Sequence, residues 1–483
     1  MKLKTLVGSL ALAGVMVPGM ALATNGMNLE GYGPIATGMG GASMAYDNGL
    51  AAVMNNPATL GLAPQGDRLD LAVGGLHPDI VTKMNGMPLP NANSGGDAYY
   101  MPAGGWARKK GNLTYGVAVM AQGGMGTEYG STSFMSMGDA GPTGKPVRSE
   151  VGVGRAIVPL AIDVNPQLTV AGSVELVWAG MDLQMLLPGS KMAPMMMPGG
   201  TSAGSVGGSM ISNRFMPALQ SGQMAGFNWG YFDFSNDNDF SGKAHSTGWA
   251  GTLGATYKVN PKLTIGGSYH GKTSLGDMEG SANVSFGAIM GPAMGAMSGA
   301  VVPVSVSGKI SVRDFQWPET YGFGLAYQAN DKLMIAADYK RIGWAKVMKD
   351  MKMSFSAEAS QADPMAQAFM LGGTQMDVTF NQNWKDQDVF QIGASYKATD
   401  ALTLRAGMNL ANNPVPDSDM NALFPATIKD HYTLGLGYAF NKAADVNFSY
   451  SYAPSVSSTN SSMGYTVEHS QPHNWQMMYS HRF

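Results

Sequence analysis

From Leu168 onward the chain sorts its side chains by parity. Leu168, Val170, Gly172, Val174, Leu176 and Trp178 alternate with Thr169, Ala171, Ser173 and Glu175. A two-residue period places large apolar groups on one face of an extended strand and small or polar groups on the other. The same sorting recurs in Leu402, Leu404, Ala406, Met408 and Leu410, in Tyr432, Leu434, Leu436, Tyr438 and Phe440, and in Val446, Phe448, Tyr450 and Tyr452. A water-soluble sandwich would alternate too, so the turns must decide. Short connections built from Asn, Asp, Pro or Gly occur at 109–112, 164–167, 259–262, 329–332, 398–400 and 440–443. Between them the chain runs out, crosses a long Gly-, Met- and Ser-rich segment, and returns. Short turns at one end with long loops at the other are the asymmetry of an outer-membrane β-barrel.

This reading predicts an all-β, antiparallel transmembrane barrel of fourteen strands. They begin near Arg68, Ala98, Asn112, Glu150, Gln167, Lys243, Lys262, Ser305, Lys332, Met376, Ala401, Lys429, Ala444 and Pro472. The last strand keeps Trp475, Met477, Tyr479 and Phe483 on one face, as a lipid-facing strand should. His481 shares that face and is expected at the membrane interface. Residues 1–23 read as a secretory signal peptide: Lys2 and Lys4, an apolar run from Leu6 to Val17, and an Ala21-Leu22-Ala23 cleavage site. Residues 24–67 are left outside the barrel, which takes 68–483.

Several functions are excluded on chemistry. The chain has no cysteine, hence no disulfide framework, thiolate zinc site or cysteine nucleophile. A net charge of −3 offers no electrostatic footprint for nucleic acid. No Gly-x-Ser-x-Gly elbow in the right context signals a hydrolase, so no enzymatic activity and no cofactor are expected. His469 and His473 share a face of an extended strand, but Pro472 intervenes and no carboxylate pair completes a metal-site pattern. Gly38-Met39-Gly40-Gly41 lacks the Lys-Ser/Thr of a phosphate cradle.

Four stretches carry a family likeness: Thr37-Gly-Met-Gly-Gly-Ala-Ser-Met-Ala-Tyr-Asp-Asn-Gly-Leu-Ala-Ala-Val-Met-Asn-Asn-Pro-Ala-Thr-Leu60, Gly116-Val-Ala-Val-Met-Ala-Gln-Gly-Gly-Met-Gly-Thr-Glu-Tyr129, Asn413-Pro-Val-Pro-Asp417 and Tyr432-Thr-Leu-Gly-Leu-Gly-Tyr-Ala-Phe-Asn441. In their order and spacing the sequence resembles the FadL-type outer-membrane transporters of long-chain fatty acids and aromatic hydrocarbons. The resemblance implies that residues 24–67 fold back as a hatch plugging the lumen, with Gly38, Gly40, Gly41 and the Asn56-Pro57-Ala58 motif at the gate. It implies an inward kink that opens the wall sideways in the third strand. It also implies a hydrophobic ligand captured by the third and fourth loops, and a location in the outer membrane of a Gram-negative bacterium. The protein is expected to be a monomer surrounded by lipid, delivered by the outer-membrane assembly machinery through the strand ending in Phe483.

The residues support parts of this independently. Asn56 precedes proline and is pushed out of the helical region, fixing a turn. Gly123, Gly124 and Gly126 mark a bulge or bend, or simply the end of the strand. Thirty-nine methionines are present, many of them in loops: Met192, Met195, Met196 and Met197 in the third, and Met290, Met294 and Met297 in the fourth. Exposed apolar loops mark an interaction surface, and unbranched thioethers adapt to varied hydrocarbons. Binding of Cu(I) is a rival reading, weakened by the lack of accompanying Cys. A compositional drift toward methionine is another.

Overall fold

The computed structural model describes residues 25–237 and 241–483; residues 1–23, read above as a signal peptide, lie outside them. Among the described residues no helix is long and apolar enough to cross a membrane. The architecture is instead a closed, all-antiparallel barrel. Gly66–Leu76 pairs on one side with Tyr99–Lys110, from Gly66 opposite Lys109 to Leu76 opposite Tyr99. On the other it pairs with Tyr465–Arg482, from Arg68 opposite Arg482 to Gly75 opposite Trp475. With the first and last long strands joined, the sheet closes on itself, and closure is how a barrel pairs its backbone polar groups in lipid.

Each of the six short turns falls between two paired strands, for example between Val147–Asp163 and Leu168–Pro188 or between His431–Ala439 and Ala444–Asn460. The parity also holds. Val170, Val174 and Leu176 are exposed on the outer face, whereas Thr169, Ser173, Glu175 and Val177 are buried within. Met477, Tyr479 and Phe483 point outward, and His481 sits between the Tyr479 and Phe483 rings near the short-turn end.

The strand count needs correction. Among the described residues twenty-three strands join the main sheet, and sixteen of them, not fourteen, are nine residues or longer. The excess arises because segments read as loops form hairpins that extend the wall at the long-loop end. Two expected starts are displaced for this reason. Ser305 lies in Val301–Arg313, which pairs with Met278–Met290, and Met376 lies in Gln375–Asn381, which pairs with Asp350–Ala357. The strands that continue to the short-turn end are Thr320–Gln328 and Gln387–Lys397. A loop hairpin covering a core alternates with the same period as a wall strand, so periodicity could not separate them.

Residues 25–62 are almost entirely buried. They contain a four-residue helix, Pro34–Thr37, and two 3-10 helices, Gly49–Met54 and Pro57–Leu62.

Candidate functional site

The N-terminal segment is held from several sides at once. Gly40 donates its N–H to Thr433 Oγ1 at 3.0 Å, and the amides of Ser43 and Met44 both donate to Asp338 Oδ2, at 2.6 and 3.0 Å. Two glycines meet without side chains between them: a Cβ on Gly38 would lie 2.9 Å from the Gly435 Cα. A Cβ on Gly40, whose φ is +69°, would fall on the backbone of Met408, and Gly407 of the wall leaves room for Gly40 in return. Only glycine permits this conformation and this approach without strain. Gly41, at φ +87°, abuts the Glu30 carbonyl and the Gln391 amide.

Asn56 has three structural roles. Its Oδ1 caps the helix Pro57–Leu62 by accepting from Ala58 N at 3.1 Å. Its Nδ2 donates to the Met44 carbonyl at 2.7 Å and to the Ala255 carbonyl of the wall at 3.1 Å. Pro57 occupies the first helical position, where a missing N–H costs nothing.

The strand Leu113–Tyr129 carries the expected third-strand glycines, and it does not end there. Its pairing with Tyr99–Lys110 stops at Val119 opposite Gly104. On its other side, pairing with Val147–Asp163 continues to Tyr129, with a register shift between Ala121 and Gly123. A one-residue irregularity of this kind bends a strand and re-aims its neighbours. Gly123 forms a bridge with Asn28, Gly124 N donates to the Met27 carbonyl at 3.1 Å, and a side chain on Gly123 would collide with Met27. Gly126 packs near Tyr99 and the Ser149 carbonyl.

A buried polar network lies beneath the bulge. Tyr32 OH donates to the Gln122 carbonyl at 2.8 Å, and Gln122 Oε1 accepts from Arg155, which pairs with Glu175. Glu175 Oε1 accepts from Ser173 and Thr252, at 2.7 and 2.6 Å. His270 links this group to the Asn55 carbonyl at 2.9 Å. Burial pushes the Tyr32 phenol far above its ordinary value, so it remains a donor. Sequence reasoning missed Tyr32, Gln122 and Arg155. Inward strand parity was the signal for Gln122 and Arg155, and Tyr32, outside any strand, had none.

The methionines are distributed differently from the expectation. Met192, Met195, Met196 and Met290 are buried, between 0% and 8% exposed, so the premise of an exposed apolar loop fails for them. Met192 and Met195 belong to the helix Gly189–Met195, whose Met192 packs against Gly230. Met290 pairs with Met224. Met197 and Met297 are exposed, and Met294 is half-buried. Only Met195 of the seven lines a cavity of about 310 Å³, beside Met185, Leu187, Phe380, Met420 and Leu423. That cavity sits between residues 190–203 of the third loop and residues 380–382, 418–423 and 460–465, rather than between the third and fourth loops. A second, apolar cavity of about 20 Å³ is lined by Met27, Met125, Met181, Phe315, Met348 and Phe424 among others. It lies against the start of the N-terminal segment.

A closed barrel with an apolar outer belt, an occupied interior and an interrupted wall is the architecture of an outer-membrane transport protein. Residues 11–476 match the family of outer membrane protein transport proteins (OMPP1/FadL/TodX), and the chain belongs to that family. It is similar to the crystal structure of the Pseudomonas putida toluene transporter TodX, with 32% identity, a TM-score of 0.78, and coverage of 94% of this chain and 99% of that one. It is similar also to the Ralstonia pickettii toluene transporter TbuX, with 31% identity, a TM-score of 0.74, and coverage of 94% and 99%. Outer membrane protein P1 of Haemophilus influenzae is 24% identical over 205 residues, 42% of this chain and 37% of that protein. The chain spans less than half the length of the curated relatives it matches. The family is one of transport channels in the Gram-negative outer membrane, not of enzymes.

Proposed function

We propose that the protein carries hydrophobic compounds across the outer membrane by capture at the long-loop end, rearrangement of the segment 24–67 as a hatch, and lateral exit through the interrupted wall beside Leu113–Tyr129. The observation that carries this reading is the loss of pairing beyond Val119 while the same strand grips the N-terminal segment at Met27. A route into the membrane suits the cargo: each buried CH₂ is worth about 0.8 kcal/mol, so hydrocarbon leaves water for lipid without coupled energy.

Among long-chain fatty acids, alkanes and aromatics, the toluene transporters at 31–32% identity favour small aromatic hydrocarbons. Lipid would surround the apolar belt, the strand ending in Phe483 would engage the assembly machinery, and the protein would act as a monomer. Uptake of labelled toluene, decane and laurate by cells with and without the protein tests the reading. Facilitated uptake of at least one is expected. Large, steady ion conductance in a planar bilayer, without hydrocarbon uptake, would instead make it a diffusion porin.

A further inference from the structure

The sixth long connection, residues 412–430, does not behave as a surface loop. Residues 422–428 are all buried, although the only regular element in the connection is the single turn Asp417–Asp419. A loop carried into a protein interior must find partners for its backbone, and here side chains of the wall supply them. Asn460 Nδ2 and Tyr465 OH donate to the Met420 carbonyl, at 2.9 and 3.3 Å. Tyr129 OH donates to the Ala422 carbonyl at 3.0 Å. Thr127 Oγ1 donates to the Leu423 carbonyl at 3.3 Å, joined there by Ser149. His469 Nδ1 donates to the Pro425 carbonyl at 2.8 Å.

Consecutive residues of this loop face two different spaces. Leu423 lines the outer cavity of about 310 Å³, and Phe424 lines the inner one of about 20 Å³. Gln382 borders both. The inner space is of the order needed for one water, roughly 10–15 Å³ by the same kind of measure, so no hydrocarbon enters it while Phe424 stays in place. Side-chain donors hold the loop, with no strand ladder to break, and each can pass to water singly. Thr127 and Tyr129 belong to the same bulged strand that grips Met27 through Gly124, so loop and N-terminal segment share one support.

We propose that Leu423 and Phe424 form an inner door between the two cavities, that residues 420–428 swing to admit cargo, and that Phe424 sets the size of ring admitted. This rests on the reading of the protein as a carrier of hydrophobic compounds. The native chain has no cysteine, so Thr127→Cys with Leu423→Cys can be joined uniquely by a short, reductant-cleavable bis-thiol linker. Uptake of radiolabelled toluene into vesicles containing this variant should fall to the protein-free level when bridged and return on cleavage. The return shows that the protein was folded throughout. Phe424→Ala should raise uptake of naphthalene relative to toluene. A bridged variant as active as its cleaved form, beside an active wild type, overturns the door. An inactive wild type would instead overturn the transport reading, and the door with it.

Discussion

Gly124 donates its amide proton to the Met27 carbonyl across 3.1 Å, joining a wall strand that parts from its neighbour beyond Val119 to the beginning of the buried N-terminal segment. The residue before it, Gly123, can take no side chain without striking Met27. The interruption of the wall and the seating of the segment are therefore one structural event, and substitutions there should separate barrel assembly from transport.

Gly123→Val is expected to displace residues 25–28 while leaving the barrel assembled, because the colliding atoms belong to Met27 and the Trp317 ring rather than to the ladder with Val147–Asp163. Heat-modifiable gel migration should be unchanged. Hydrogen exchange at residues 25–32 should rise and hydrocarbon uptake should be lost. Full uptake with unchanged exchange would count against the linkage.

Asn56→Ala removes the cap of the helix Pro57–Leu62 and the bonds to Met44 and Ala255. Cap loss alone costs about 0.5–2 kcal/mol. The segment should loosen before the barrel does, seen as earlier proteolysis near residue 56 at unchanged barrel melting.

Glu175→Gln leaves the Arg155 guanidinium, 1% exposed, without its counter-charge. Breaking a buried pair from one side costs about 3–5 kcal/mol. A lower urea midpoint is expected, with Arg155→Met in the same background recovering part of it. A midpoint unaltered by Glu175→Gln would show that the pair contributes little.

Burial holds the phenols of Tyr32 and Tyr46 well above their ordinary value of 10.0. A group whose folded pKa is raised gives its full contribution below the unfolded value and loses it as pH climbs past that value. Stability should be insensitive to these residues at neutral pH and fall in strong alkali. Tyr32→Phe, which also removes the bond to the Gln122 carbonyl, should flatten part of the alkaline decline in a melting series against pH.

The class of fold was readable because lipid imposes a rule on every second residue. Val170, Val174, Leu176, Leu434 and Tyr479 face outward as their parity requires. The six short turns were readable because Asn, Asp, Pro and Gly announce them locally. Ser305 and Met376 misled because a hairpin over a packed interior obeys the same period as a wall strand. Met192 and Met290 looked like exposed loop residues, yet both are buried, since a loop sequence does not state what folds over it. Gly123 and Gly124 signalled an irregularity but not its kind. Gln122, Tyr32 and Arg155 gave no local sign that they would meet.

The sequence by itself determined a membrane barrel, the positions of its short turns and the family to which it belongs, because these depend on short-range periodicity and on contiguous motifs. Tertiary structure decided what fills the interior: which wall glycines seat Gly38 and Gly40, where the third strand parts from its neighbour, and that residues 422–428 lie inside. Those outcomes depend on side chains hundreds of residues apart competing for the same enclosed volume, and no local pattern records that competition.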